Sequence, residues 1–136
     1  MATLHTTLSG KRGDLGAVHD LVSALERAHH LPSAVVFDIN VVLDELLSNT
    51  IQYGYAAGAK QAIQVTLSAT PTAVEIRIED DARPFDPLAA PAPDLTLSLA
   101  DRPIGGLGIH FVRKLMDVVE YRRDNNRNIL FLKKNI

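Results

Sequence analysis

Residues 62–80 read "AIQVTLSATPTAVEIRIED", two runs of alternating apolar and polar residues around a short Thr-Pro-Thr segment. Alternation with a period of two is typical of strands that bury one face, and the central segment favours a tight turn. The stretch therefore predicts a β-hairpin that turns at residues 70–72. Its last residue, Asp80, falls on the side of the strand that is expected to face the core.

An edge strand and two amphipathic helices are predicted upstream of this hairpin. Residues 2–8 alternate weakly, which favours the strand. The first helix is expected to begin at Asp14 as its N-cap and to end near the "HHLP" segment, and the second to begin at Ser33 as its cap and to end at Gly54. The apolar residues that recur at helical spacing are Leu15, Val18, Leu21, Val22 and Leu25 in the first helix, and Val36, Ile39, Leu43, Leu46, Leu47 and Ile51 in the second.

A long loop, a third helix and a second hairpin are predicted downstream. Residues 81–104 are rich in proline and alanine without a sustained period, a helix is expected from about 107 to 116, and residues 118–134 read as a hairpin that turns at 124–126. Helices interspersed with antiparallel hairpins predict an α+β fold. We expect a two-layer sandwich in which a mixed, mostly antiparallel sheet carries helices on one face.

The composition narrows the class of protein. With 136 residues and 46% hydrophobic content, the chain is expected to form one domain over residues 1–136. The formal net charge is −2 and basic residues never run longer than two, so neither a nucleic-acid nor a membrane partner is expected. The chain has no cysteine, which excludes disulfides and thiolate metal sites. No signal-peptide or membrane-span pattern is found, so we expect a cytoplasmic location.

Three of the eight glycines lie within residues 105–108, at the start of the third predicted helix. Glycines at such a junction let the backbone approach a ligand, and the free amides and positive end of the helix dipole favour an anion such as phosphate. An ordinary turn is the competing interpretation. A Walker loop and a dinucleotide-binding loop are excluded, because no Gly-Lys-Ser/Thr ending is present and no strand leads directly into the glycines.

Polar residues at two other places are candidates for a site. A carboxylate on the core-facing side of a strand needs a partner, so Asp80 either lines a pocket and accepts a hydrogen bond from a ligand such as adenine, or caps the turn that follows. Glu45 and Asn49 are four residues apart and share a face of the second helix, where they form either a solvated stripe or a pair suited to Mg²⁺-dependent phosphoryl transfer.

These three segments together resemble the motifs of a known family. The stretches "DELLSNTIQYGY" (44–55), "IEDDARPFDP" (78–87) and "GGLGIHFVRKLMD" (105–117) are similar in order and spacing to those of compact histidine-kinase-like ATPases that act as serine-protein kinases and anti-sigma factors. The closing "NILFLKK" (128–134) resembles the last strand of that fold. The resemblance spans roughly residues 10 to 134.

The resemblance implies a Bergerat-type ATP pocket between helices and sheet, with ATP and Mg²⁺ as cofactors. It implies that Glu45 is the catalytic residue, that Asn49 binds the metal, that Asp80 contacts adenine, and that residues 86–104 form a lid over the nucleotide. The nucleotide-binding residues that it implies are Asn49, Tyr53, Asp80, Ala82, Pro84, Phe85, Arg102, Gly105, Gly106, Leu107, Gly108 and Ile109.

The resemblance also implies two protein partners. One is an anti-anti-sigma-like substrate protein, and the other is a sigma factor or other regulator that this chain sequesters. A homodimer is one assembly that the resemblance allows.

The chain departs from the family pattern in four places. Ala82 replaces a glycine, which requires a negative φ there. Tyr53 stands for a frequent histidine, and Phe131 for a threonine near adenine. Arg102 is the one evident cation of the lid, where it either contacts the terminal phosphate or is an ordinary surface arginine.

Two activities follow from this interpretation. The expected one is an ATP-dependent serine-protein kinase of the anti-sigma type. The alternative is a nucleotide-gated protein-binding module without kinase activity, which would use Asn49 and Asp80 but would not need Glu45.

Overall fold

The structure, a computed structural model, describes residues 2–11, 13–84 and 106–136. The order of its elements is the predicted one. They are β1 (Ala2–Leu8), α1 (Asp14–His29), α2 (Ser33–Tyr53), β2 (Ile63–Ala69), β3 (Ala73–Asp80), α3 (Gly106–Leu115), β4 (Val118–Asp124) and β5 (Arg127–Asn135).

The described strands form one five-stranded sheet in the order β1-β2-β3-β5-β4. All four neighbouring pairs are antiparallel. The helices pack against one face of this sheet, and the buried side chains of both layers form a single hydrophobic cluster. The predicted α+β two-layer sandwich is confirmed, and the sheet is purely antiparallel in the described part of the chain.

Both predicted hairpin turns are present. At the first, the Thr70 amide donates to the Ala73 carbonyl (2.9 Å) and the Thr70 hydroxyl accepts the Thr72 and Ala73 amides. At the second, Asn125 and Asn126 have φ values of 50° and 61°. Two consecutive residues with positive φ fit the right-handed twist of a two-residue hairpin, and asparagine tolerates this conformation better than most residues.

The two predicted helix caps were wrong. The N-cap of α1 is Gly13, with a φ of 94°, and Asp14 is the first helical residue. The Asp14 carboxylate instead accepts the amides of Ser9, Gly10 and Lys11, so it orders the loop before the helix. The N-cap of α2 is Pro32, and no side chain caps this helix. Proline favours the extended backbone that precedes a helix, which moves the boundary one residue earlier.

Lys134 links β5 to both helices that flank the candidate site. Its Nζ donates to the Leu115 carbonyl at the end of α3 (2.8 Å) and lies 3.1 Å from Asp38 Oδ2 in α2. A cation at a helix C-terminus satisfies a free carbonyl and complements the helix dipole. The contact holds α3 beside α2. Among the described helices, none combines the length and the apolar character that a membrane-spanning segment requires.

Candidate functional site

The side chains of Glu45 and Asn49 contact each other on α2, as their spacing predicts. Asn49 Nδ2 donates to Glu45 Oε1 over 3.1 Å, and both side chains are half-buried. Because the carboxylate can only accept, this bond fixes which end of the Asn49 amide faces Glu45. The amide oxygen of Asn49 is therefore left for another partner. An amide oxygen is a hard ligand of the kind that Mg²⁺ accepts, so Asn49 fits the implied metal, and Glu45 orients it.

Asp80 is the last residue of β3 and is only 5% exposed. Its Oδ1 accepts two hydrogen bonds, from the Ala82 amide (3.1 Å) and from Asn128 Nδ2 (2.9 Å). Neither bond involves Oδ2, and no donor elsewhere in the described ranges bonds to that oxygen. The carboxylate thus caps the following turn with one oxygen while the other stays available. The two interpretations of Asp80 made from the sequence are compatible.

Burial raises the pKa of the Asp80 carboxyl above its ordinary value. The hydrogen bonds from Asn128 and Ala82 and the positive charge of Arg123 lower this pKa, whereas the negative charge of Asp81 raises it further. Asp81 is itself engaged: its carboxylate accepts a hydrogen bond from the Tyr55 hydroxyl. Burial and that bond raise the pKa of the Tyr55 phenol, so this hydroxyl stays a donor.

Asn128 in β5 is a site residue that sequence reasoning missed. It is 6% exposed and lies directly opposite Asp80 in the β3–β5 register. Its Nδ2 also donates to the Arg83 carbonyl (2.8 Å), and its Oδ1 accepts from the Tyr121 hydroxyl (2.6 Å) and from Arg123 (3.0 Å). A polar residue on the apolar face of an alternating strand was the signal that could have revealed it.

Phe131 does not occupy the position expected for it. It pairs with Arg77 in the β3–β5 register, on the sheet face that points away from the helices. Side chains alternate along a strand, so a residue three positions from Asn128 lies on the other face. Phe131 therefore does not lie on the Asp80 face, where the resemblance implies a threonine, and Asn128 is the β5 residue beside Asp80.

Ala82 joins the end of α2 to the end of β3. It has no positive φ, which meets the condition set by the replacement of glycine. Its methyl group is buried against Gly54: a Cβ built on Gly54 would lie 2.9 Å from Ala82 Cβ and 2.7 Å from the Thr50 carbonyl oxygen. The Arg83 amide also donates to the Gly54 carbonyl (3.0 Å). The close approach of these two segments therefore depends on glycine at position 54.

The remaining predicted site residues lie partly within the described ranges and partly outside them. Tyr53 is the last residue of α2, with a 48% exposed side chain, and Pro84 is exposed at the end of the described loop. Gly106, Leu107, Gly108 and Ile109 form the first turn of α3, which packs against α2. Phe85, Arg102, Gly105 and the predicted lid at 86–104 lie outside the described residues.

The described parts of the chain contain no group of three or more His, Asp or Glu side chains that could hold a metal ion by themselves. Asn49 has only Glu45 as an acidic side-chain partner there. A cation held at the Asn49 amide oxygen would take its other ligands from a bound phosphate and from water, as Mg²⁺ does in phosphoryl-transfer sites.

Comparisons with known proteins agree with this geometry. The profile of the histidine kinase-like ATPase domain family matches residues 8–134. The serine/threonine-protein kinase BtrW of Bordetella bronchiseptica is 33% identical over 96 residues, which are 71% of this chain and 68% of that protein. A crystal structure of the RsbU and RsbW domains of Rv1364c from Mycobacterium tuberculosis has a TM-score of 0.70 at 14% identity; the match covers 98% of this chain and 32% of that longer one, and it concerns the fold.

Proposed function

Because the chain belongs to the histidine kinase-like ATPase family, we propose that it is an ATP- and Mg²⁺-dependent serine-protein kinase and anti-sigma-type regulator. Its substrate in this proposal is an anti-anti-sigma-like protein, and its second partner is a sigma factor or other regulator that it sequesters. The similarity to a serine/threonine-protein kinase supports the activity. The likeness to a structure with an RsbW domain supports the fold.

The observation that carries the kinase proposal is the hydrogen bond between Glu45 and Asn49. It engages Oε1 of Glu45 and leaves Oε2 for the hydroxyl of a substrate serine. In the proposed step the serine oxygen attacks the γ-phosphorus, the bond from that phosphorus to the ADP oxygen breaks, and Glu45 takes the serine proton. A binding module without catalysis would need no proton acceptor at this position.

The nucleotide would be held by groups from three elements. Asp80 Oδ2 would accept a hydrogen bond from the exocyclic amino group of adenine, and the amides of the first turn of α3 would face the phosphates. Asn49 Oδ1 would hold Mg²⁺, which when bound neutralises charge on the phosphate oxygens. The half-buried position of the Glu45–Asn49 pair keeps both side chains reachable from solvent.

The test is phosphate transfer from labelled ATP, with Mg²⁺, to a small anti-anti-sigma-like protein of the same organism. We expect transfer to a serine by the wild type. The substitution Glu45→Gln keeps an oxygen that can accept the Asn49 amide bond but removes the base. Transfer should therefore fall about 10²–10⁴-fold, as is typical for loss of a general base, while ATP affinity stays near that of the wild type.

The matched control is Asp44→Asn, one residue away on the same helix. Asp44 Oδ1 lies 2.7 Å from His19 Nε2, and both side chains are about half exposed (45% and 44%), so this pair belongs to the α1–α2 surface. Its loss should leave transfer unchanged, because exposed ion pairs contribute little. Transfer by Glu45→Gln at the wild-type rate would contradict the role of Glu45. ATP-dependent partner capture without any transfer would favour the nucleotide-gated binding module.

A further inference from the structure

The amide group of Asn128 has a partner for each of its hydrogen-bonding positions. Nδ2 donates to Asp80 Oδ1 and to the Arg83 carbonyl, and Oδ1 accepts from Tyr121 and Arg123. These four bonds use both donors and both acceptor positions of a carboxamide, so its orientation is fixed. A buried and fully bonded amide of this kind is rigid, because any rotation would leave a polar group unpaired.

The same group ties the β4–β5 hairpin to the loop that follows β3. Arg123 donates to the Ala82 carbonyl over 2.9 Å as well as to Asn128. The carbonyl groups of residues 82 and 83 therefore accept hydrogen bonds from two side chains of the hairpin, Arg123 and Asn128. Asn128 also donates to the Asp80 carboxylate. Only Oδ2 of that carboxylate is left without a donor among the residues that the structure describes.

We propose that Asn128 positions Asp80 for the nucleobase: by occupying Oδ1, it leaves Oδ2 as the single acceptor offered to the base, and it thereby sets a preference for adenine over guanine. This inference rests on the proposed function. Adenine presents an amino donor where guanine presents a carbonyl acceptor, so a fixed carboxylate oxygen attracts the first base and repels the second. A carboxylate that could rotate would discriminate less well.

The protonation of the Asp80 carboxyl group also depends on its hydrogen bond with Asn128. The groups that face it are the Asp81 carboxylate beside it, Arg123 from β4, Asn128 from β5, and the Tyr55 hydroxyl through Asp81. Asn128 supplies the hydrogen bond that most opposes the effect of burial. Replacing its amide donor by an acceptor would place two carboxylates side by side, and such a pair retains one proton at a higher pH than a lone carboxylate does.

The test is the isosteric substitution Asn128→Asp, with nucleotide affinity measured by calorimetry from pH 8 to pH 6. At pH 8 the new carboxylate cannot donate to Asp80, and ATP affinity should fall about 10–100-fold, the value of a hydrogen bond to a charged group. The ratio of ATP to GTP affinity should fall as well. As the pair takes up its first proton, the new carboxyl group can donate again. ATP affinity relative to the wild type should therefore recover as the pH falls.

The control is Asn135→Asp, which adds the same charge at the exposed end of the same strand. Tyr121→Phe is a second variant in case Asn128→Asp does not fold. It removes one donor to Asn128 and should lower ATP affinity and the ATP-to-GTP ratio about 2–10-fold, the range of a single neutral hydrogen bond.

A measurement without nucleotide separates the contact of Asn128 with Asp80 from the proposed binding of ATP. Carboxyl ¹³C NMR of the free protein should show the pKa of Asp80 raised in Asn128→Asp and unchanged in Asn135→Asp. Wild-type ATP binding with no pH-dependent recovery in Asn128→Asp, or with an unchanged ATP-to-GTP ratio, would overturn the inference alone. A wild type that binds no ATP would overturn the proposed function and the adenine preference with it, even where NMR shows that Asn128 and Asp80 are coupled.

Discussion

Asp80 shows how a single residue can serve binding at a cost to stability. It is buried at the end of β3, and burial raises its carboxyl pKa, so the folded state takes up this proton more readily than the unfolded state does. Its contribution to stability is therefore complete below the ordinary aspartate pKa and is lost as the pH rises through the raised value. Above the raised pKa the buried carboxylate contributes less to stability than the protonated group does, and we attribute its presence to the nucleotide that it would bind.

The substitution Asp80→Asn tests this account. Asparagine can still accept the Ala82 and Asn128 bonds through its oxygen, but it carries no charge and presents a donor at the position of Oδ2. ATP affinity should fall about 10–100-fold. The free energy of unfolding in urea should be higher than that of the wild type at pH 7, and this difference should disappear toward pH 3, where the wild-type carboxyl is protonated. A variant less stable than the wild type at pH 7 would contradict the account.

At the scale of elements, the approach of α2 to the end of β3 depends on Gly54. A Cβ there would lie 2.7 Å from a carbonyl oxygen of the same helix and 2.9 Å from the Ala82 methyl group. Real Cβ atoms do not approach other atoms so closely, and the carbonyl is backbone that cannot rotate away. Gly54 is needed for this reason rather than for its φ of −80°, which any residue adopts.

We therefore expect Gly54→Ala to lower the free energy of unfolding by about 1–3 kcal/mol, the usual range for an overpacked contact. Adding Ala82→Gly to it should restore part of that loss, because it removes one of the two clashing atoms. Gly58→Ala is not a suitable control, because Gly58 has a φ of 76°. Gly16→Ala is suitable, since a Cβ there meets nothing within 4 Å and helix propensity alone should stabilise α1. Equal stability of Gly54→Ala and the wild type would refute the packing argument.

The helices and strands also show what the sequence could and could not predict. Periodicity and turn residues predicted the order of helices and strands and the contact of Glu45 with Asn49, because these depend on neighbours along the chain. The caps of α1 and α2 depend on the backbone conformation of a single residue, and both were predicted one residue too late. Asn128 was missed for a different reason: its role depends on the register between β3 and β5, which joins residues 48 positions apart.

At the scale of the whole molecule, the candidate site is assembled from segments distant in sequence that one sheet brings together. The carboxyl end of α2, the end of β3 and the first turn of α3 carry the three motifs, and the β4–β5 hairpin supports the second of them. The order and spacing of the motifs indicated the family, and the profile match over residues 8–134 confirms it. The nucleotide contacts themselves stay predictions.

The measurement that tests the central claim most directly is a calorimetric titration of the wild type, Asn49→Ala and the control Gln52→Ala with ATP, each with and without Mg²⁺. Gln52 is an exposed residue of the same helix. The account predicts that the wild type and the control bind one ATP per chain, and that Mg²⁺ tightens this binding. In Asn49→Ala the Mg²⁺ effect should be lost, because the amide oxygen that would hold the metal is gone. No ATP binding by the wild type, or an unchanged Mg²⁺ effect in Asn49→Ala, would contradict it.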